Sequence, residues 1–336
     1  GGGGGGRPGG GVTYNRVGGF MPRFVALLLS ATFLPASAWA ACTGSEDTTV
    51  CNSGCDSNNL KSAIEGASNN DTICVEGTYT ETDRIDHDSG NRVIVRTDEA
   101  GTVSLTYSGN SDAQVSVSNG GELRLEDVVF GATNQERGVY LSGGDITLVN
   151  VTMEDHTFDD HGVAIWGDSS SVVEIIGGSY VGNGRTNKDG GVVYSDNGTV
   201  VISGGAVFAN NQGRFGGVVY VPDSASLSIT DAVFDSNSAN DDGGAVYMSA
   251  TDGVVIRRGL FCGNTADAGG GLFASNGSVD TDIQGNVFIE NVVSENGGGL
   301  YVHAGATTVA NNHFIANNAN QGAGFWTRTG SGEFAN

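Results

Sequence analysis

The chain has 336 residues, with 56 glycines but only four prolines, and its 15 basic and 38 acidic residues give a formal charge of −23. The first 40 residues hold three of the arginines and no acid, so the remainder carries 12 − 38 = −26, which excludes nucleic acid and anionic lipid as natural partners. Runs of helix-favouring residues are almost absent, so composition points away from a helical domain and towards a turn-rich β architecture.

Residues 1–20 begin without Met, open with six glycines and read as translated upstream sequence. Met21 then starts a short basic region at Arg23 and an apolar run from Phe24 to Leu34, and Ala38-Trp39-Ala40 has the small-x-small form of a signal-peptidase site. Residues 21–40 are therefore expected to be a secretory signal cut before Ala41, too short to remain as a membrane-spanning anchor. The competing reading, a cut before Cys42 with lipid attached there, is opposed by Trp39 in the place of an aliphatic residue. The mature chain is thus expected outside the cell or on a bacterial surface.

Cys42, Cys51, Cys55 and Cys74 crowd the start of the mature part, and in an exported chain four such cysteines imply two disulfides in any of three pairings. No Cys-x-x-Cys and no His lies among them, which argues against a metal site. Cys262 stands alone after Phe261 and reads as a small buried filler. Between Cys55 and Cys74, Leu60, Ala63, Ile64 and Ala67 recur at helical spacing behind Asn58 or Asn59, predicting one short amphipathic helix that covers the opening of the first repeat. Residues 41–72 are read as a Cys-rich N-terminal cap and 73–336 as a repeat domain, entered through Thr72–Val75 and Gly77–Thr80.

Five pentads of nearly one form recur at 26 to 28 residues: Gly190–Tyr194, Gly216–Tyr220, Gly243–Tyr247, Gly269–Phe273 and Gly297–Tyr301. Interleaved with them is an aromatic followed three places later by Asn, at Tyr180/Asn183, Phe208/Asn211, Phe234/Asn237, Phe261/Asn264, Phe288/Asn291 and Phe314/Asn317. Two motifs locked in one period mark a solenoid. Before each aromatic the apolar residues alternate, as in Leu123/Leu125, Ile146/Leu148, Val173/Ile175, Leu227/Ile229 and Val254/Ile256, which is the period of a strand. Each repeat holds three short apolar runs and no room for a helix, so the predicted fold is all-β, a right-handed single-stranded parallel β-helix of about ten coils with a short N-terminal capping helix. Equivalent residues then stack at about 4.8 Å, each Phe on the next inside the rod and each Asn on the next in a hydrogen-bonded ladder. Val200 and Ile202 stand one residue further from Phe208 than their counterparts elsewhere, and a β-bulge is the expected reason. The Gly pairs read as corner residues; they are not phosphate loops, because a strand follows them and not a helix. At the other end, Phe325-Trp326 and Glu333–Asn336 align with Leu300-Tyr301 and Thr308–Asn311, so the sequence is expected to continue past Asn336 into a cap, an outer-membrane anchor or a catalytic domain.

The stretch Cys55–Ile64, followed by Asp71-Thr72-Ile73 and Gly77-Thr78-Tyr79, resembles the N-terminal cap of bacterial extracellular β-helix proteins, including CSLREA-domain proteins. The repeats from about Tyr180 onward resemble the polymorphic outer membrane protein repeats of chlamydial autotransporters, which pair Gly-Gly-Ala-(Ile/Leu/Val) with Phe-x-x-Asn. The resemblance implies a pectate-lyase-like fold, one that serves enzymes, adhesins and passengers alike.

Enzymes of that fold imply outward Asp on adjacent strands, with an Arg, Lys or His partner. The best local match is Glu154, Asp155, His156, Asp159, Asp160 and His161, with Arg137 and Trp166 nearby; against it, His156 falls at the Asn-ladder position, and Asp160 and His161 align with the turn before each Gly pair. The same turn carries Asp189, Asp241, Asp242, Asp267 and Glu295, a row of carboxylates that repel one another by about 0.8 kcal/mol per pair at 5 Å even in water and that calcium would relieve. The ladder of charge is interrupted by Lys188 and Arg214, and Arg257-Arg258, adjacent on a strand, are expected on opposite faces. No cofactor is implied, calcium apart. The favoured function is a non-catalytic passenger or adhesin whose partner is a host surface or a polysaccharide; the alternative is an extracellular polysaccharide lyase or glycoside hydrolase.

Overall fold

The computed structural model describes residues 42, 46–98, 102–107, 109, 112–131, 136–168, 170–222, 224–249, 253–275, 281–303, 307–328 and 333–335. The leading segment 1–20 and the signal 21–40 lie outside the described residues.

The alternating runs fold as ten coils of an all-β parallel solenoid, each coil giving one strand to each of three sheets. Sheet I has twelve strands, from Thr48–Val50 and Asp71–Val75 through Val172–Ile176 to Glu333–Ala335. Sheet II runs from Thr78–Glu81 to His313–Ile315 and sheet III from Ile85–His87 to Phe325–Thr327, with ten strands each. In four coils a two-residue strand is added between sheets II and III: Gln212–Gly213, Ser238–Ala239, Thr265–Ala266 and Val292–Val293. Every neighbouring pair is parallel, so each coil saturates the backbone of the one before it.

Inward positions of all three sheets fill one continuous core that includes Leu123, Ile175, Val193, Leu227 and Ile256. On sheet II the inward column is a stack of rings, Tyr180, Phe208, Phe234, Phe261, Phe288 and Phe314, with centroids 4.8 to 5.1 Å apart. The stack is the one the aromatic period predicts.

Two local expectations are corrected. The slip before Phe208 is not a bulge in a strand, because Val200 and Ile202 pair in register with Val173 and Ile175, and Phe208 pairs with Tyr180. The extra residue is taken up at the corner, where Gly204-Gly205-Ala206 replaces Gly177-Gly178, and both Gly204 and Gly205 sit at positive φ. Arg257 and Arg258 do not point to opposite faces: Arg257 ends the strand Val255–Arg257 and Arg258 turns into the left-handed region at φ 55°, leaving both side chains exposed.

The N-terminal segment is stitched on by its cysteines, Cys42 to Cys74 and Cys51 to Cys55, which selects one of the three pairings. Leu60–Glu65 forms the one helix among the described residues, with Asn59 Oδ1 accepting the Ser62 N–H at 2.6 Å. Its Leu60 and Ile64 enter the common core, and its first amides donate to Tyr79 Oη and Glu81 Oε2 of the first coil.

Candidate functional site

Three structures run along the corner between sheets II and III, and together they decide which polar residues are available for chemistry. The first is the Asn ladder. Asn183, Asn211, Asn237, Asn264 and Asn291 each accept, through Oδ1, the backbone N–H of the ladder residue before them at 2.9 to 3.0 Å. Each Nδ2 donates to the main-chain carbonyl of the preceding coil, as Asn237 does to Phe208. His156 heads the ladder, its N–H donating to Asn183 Oδ1 and its Nδ1 3.2 Å from the same atom. Burial there pushes the imidazole down to about 4, so His156 is neutral at ordinary pH and walls the core instead of facing solvent. A second short ladder, Asn286 over Asn312, closes the corner between sheets I and II. Among the described residues it has two members, too few for the period to reveal.

The second is the Gly pair. A Cβ on Gly191 would stand 2.2 Å from the carbonyl oxygen of Gly217 in the next coil, so the pair permits the close approach of successive turns.

The third is an outer aromatic stack on sheet III, built from the last residue of each of the five pentads and from Trp326, the register partner of Tyr301. Tyr194, Tyr220, Tyr247, Phe273, Tyr301 and Trp326 follow one another with centroids 4.3 to 5.3 Å apart. Upstream, Tyr140 and Trp166 stack at 4.8 Å with planes 7° apart. Strand parity carries the signal for this column, since these residues follow inward Val and Leu and must face outward, yet the pentads were read only for their glycines. Trp166 and Tyr194 are register partners like the rest, but their rings do not meet. His161 tilts against Tyr194 at 5.5 Å instead.

That interruption coincides with the turn where the pattern breaks. Glu136-Arg137 stand where later coils have the Gly pair. The Arg137 guanidinium is 3% exposed, donates to Asp160 Oδ2 at 3.0 Å and to the His161 carbonyl at 3.1 Å, and lies 4.9 Å from the Phe158 ring centroid. His161 Nδ1 accepts the Asp189 N–H at 3.0 Å. Asp189 is in turn held by Arg214 through Nε at 2.8 Å and Nη2 at 2.7 Å. Asp159 pairs with Arg185 at 3.0 Å and with Lys188 at 3.5 Å.

The structure therefore divides the sequence candidates. Asp160 and His161 belong to one network, completed by Arg137, Asp189 and Arg214; Asp159 is tied to the neighbouring turn; Asp155 is a left-handed turn residue at φ 56°, and His156 is in the wall. The other turn carboxylates form a separate column. Asp267 N–H donates to the Asp241 carbonyl at 2.6 Å and Glu295 N–H to the Asp267 carbonyl at 2.8 Å, so three acids stand on consecutive coils. Beside them, burial and then the charges of Glu295, Asp241 and Asp267 push the Asp242 carboxyl up to about 6. Among the described residues the only three potential ligands within 4.8 Å of one another are Cys51, Cys55 and Glu76, and the two cysteines are spent in their disulfide. Cys262 is buried, and burial ahead of Asp235 and Glu290 pushes its thiol up to about 11, so it is not an activated nucleophile. Arg257 and Arg258 pair separately with Asp282 and Asp231.

The chain matches no protein family, no curated protein and no solved structure.

Proposed function

We propose that this chain is a non-catalytic, adhesin-like rod of an exported surface protein, which holds its polar turns away from the cell. The observation that carries the reading is the pairing state of the carboxylates at the turn that breaks the repeat. Asp160 is held by Arg137, Asp189 by Arg214 and Asp159 by Arg185 and Lys188. Hydrolysis of a glycosidic bond needs two carboxyls across the substrate, one kept protonated and the other charged. An arginine beside each takes up part of its hydrogen-bonding capacity, the arrangement of a structural ion pair. The inner ring stack and the Asn ladder fit the same reading, because both repeat without regard to any one coil, as a spacer requires. A right-handed crossover, the usual hand for parallel strands, and a capping role for helix Leu60–Glu65 complete it.

The test is to incubate the purified chain with polygalacturonate, alginate and a set of neutral polysaccharides, following unsaturated uronate by ultraviolet absorbance and new reducing ends by a colour reaction. No product is expected above a heat-denatured control. Turnover abolished by Asp160→Asn or Asp189→Asn would replace the rod reading with a polysaccharide-cleaving enzyme.

A further inference from the structure

The outer face of sheet I carries polar groups of a different kind from those at the broken turn. Val93, Val95, Leu123, Leu125, Ile146 and Leu148 point into the core, so the residues alternating with them face out. Arg92, Glu122 and Asp145 thereby form one outward column, and Arg124 and Thr147 belong to the next, in register on the strands Arg92–Thr97, Glu122–Glu126 and Asp145–Val149. In later coils the same two columns continue as Thr199 and Ser226 and as Val201, Ser228 and Val255. The coil can therefore be built without charge at these positions.

Between the columns opens a cleft of about 170 Å³, walled by Arg92, Glu122, Arg124, Asp145 and Thr147 and reaching Val172 of the next coil. Pockets that enclose a drug-sized molecule run to about 300–1,000 Å³, so this one takes a smaller group. Its two arginines balance its two carboxylates, which makes a neutral site on a rod that carries −26. Two of its walls are fixed: Arg124 Nε donates to Glu126 Oε1, and Thr147 Oγ1 donates to Glu174 Oε2 at 3.0 Å. The other groups keep capacity for a ligand. Arg92 Nε and Glu122 Oε2 stand 3.7 Å apart, too far for a hydrogen bond, and the two side chains are 45% and 54% exposed. Asp145 accepts the Val172 N–H on Oδ1 at 2.8 Å, which leaves Oδ2.

A lone anion in this cleft meets Glu122 and Asp145 as well as the field of the rod, and a lone cation meets Arg92 and Arg124. A ligand that carries both charges satisfies both sets. The 3.7 Å between guanidinium and carboxylate limits how far apart those charges can lie, and it suits an ammonium and a carboxylate borne on one carbon. We infer that the cleft is a binding site for a small zwitterion of the α-amino acid class, with its carboxylate on Arg92 and its ammonium on Glu122 and Asp145 Oδ2. The site does not depend on the rod reading, since a non-catalytic rod and a polysaccharide-cleaving one can both carry it.

The test is calorimetric titration of the purified chain with L-alanine and with L-valine, beside acetate, methylammonium and 6-aminohexanoate. At least one amino acid is expected to bind saturably, tenfold or more tighter than any of the other three probes. Arg92→Gln and Asp145→Asn are each expected to raise its Kd tenfold or more, whereas Arg257→Gln, on a distant coil, leaves it unchanged. Both site variants should keep the circular dichroism spectrum of the parent. Arg92 makes no side-chain hydrogen bond among the described residues, and the amide oxygen introduced by Asp145→Asn still accepts the Val172 N–H. No saturation with either amino acid, another probe binding within tenfold of the tighter one, or a smaller rise in Kd in either site variant would overturn the assignment. None of these results bears on the release of reducing ends or unsaturated uronate, so failure of the site leaves the rod reading standing.

Discussion

Coils 1–4 and coils 5–10 share one backbone scheme and differ in what fills it. Down the inner column of sheet II the early coils place Glu81, Leu105, Phe130 and Met153 in register, one chemical type after another, whereas the later coils place six aromatic rings. The side-chain hydrogen bonds show the same contrast: in coil 2 Gln114, on the strand Ala113–Ser118, donates through Nε2 to the Gly131 carbonyl, and coil 5 begins an Asn ladder that continues to Asn317. A uniform column lets each residue make the same bonds to the next, so length is gained without new design. A mixed column needs a separate solution in every coil, and it is here, with Arg137 in the place of a glycine, that distinctive chemistry arises. The candidate site lies at the junction, where the mixed region hands over to the repetitive one.

The sharpest way to break this contrast is at its most repetitive point. Asn237 accepts the N–H and Nδ2–H of Asn211 and donates to the Phe208 carbonyl and to Asn264 Oδ1, all at 3.0 Å. Asn237→Ala leaves several of those buried groups without partners, and at about 1–3 kcal/mol for each group that cannot relax, a loss of about 4 kcal/mol is expected in denaturant unfolding. Gln114→Ala, which removes a single such bond, is expected to lose about 1–2 kcal/mol. Equal losses would show that the ladder has no special share in stability.

A smaller effect separates the regions by pH. The Asp242 carboxyl has a folded value of about 6 against an ordinary 3.8, because burial and the acids of the neighbouring coils disfavour its charge. Its folded state holds the proton longer than its unfolded state does. Stability from this group is therefore greatest below pH 4, falls as pH rises from about 4 to 6, and is level above that. Asp242→Asn removes the dependence, and after screening of a partly exposed group the expected gain near neutrality is about 1–2 kcal/mol. The measurement is the difference in unfolding free energy between the parent and Asp242→Asn from pH 3.5 to 8. A difference that does not change across that range would show that the acidic column imposes no strain.

The repetitive half was legible because identical residues recur at a fixed interval, so Phe208 to Phe314 and Asn183 to Asn317 announce both the strand and its neighbour one coil away. The bulge expected near Phe208 failed for a related reason: spacing counts residues but does not say whether an extra one lies in a strand or in a corner such as Gly204-Gly205-Ala206. At the site, Asp160 and His161 were found from their residue types, whereas Asp189 and Arg214 were read only as members of a turn series. Their pairing joins residues 25 positions apart, and no rule of spacing within one coil can state it. The break in the outer stack between Trp166 and Tyr194 depends on the rotation of two side chains, which the backbone register leaves undetermined.

The smallest test lies at the junction itself. Tyr180 is the first ring of the inner stack, with no exposed surface, packed on Phe208 at 5.0 Å and pairing in register with Met153 on its other side. Its hydroxyl is buried and makes no hydrogen bond, and burial alone pushes its ionisation far above the ordinary tyrosine value. The ring thus obeys the rule of the later coils while its oxygen, orphaned in the core, obeys none. Tyr180→Phe keeps the stack and removes the unpaired oxygen, so stability is expected to rise by about 1 kcal/mol, read as a higher unfolding midpoint with an unchanged denaturant slope. Phe208→Tyr, one coil further in, should cost about 1–3 kcal/mol by creating the same orphan where every neighbour is already a ring. A loss on Tyr180→Phe would mean that the hydroxyl has a partner in solution, and the boundary between the two halves of the rod would then belong one coil later.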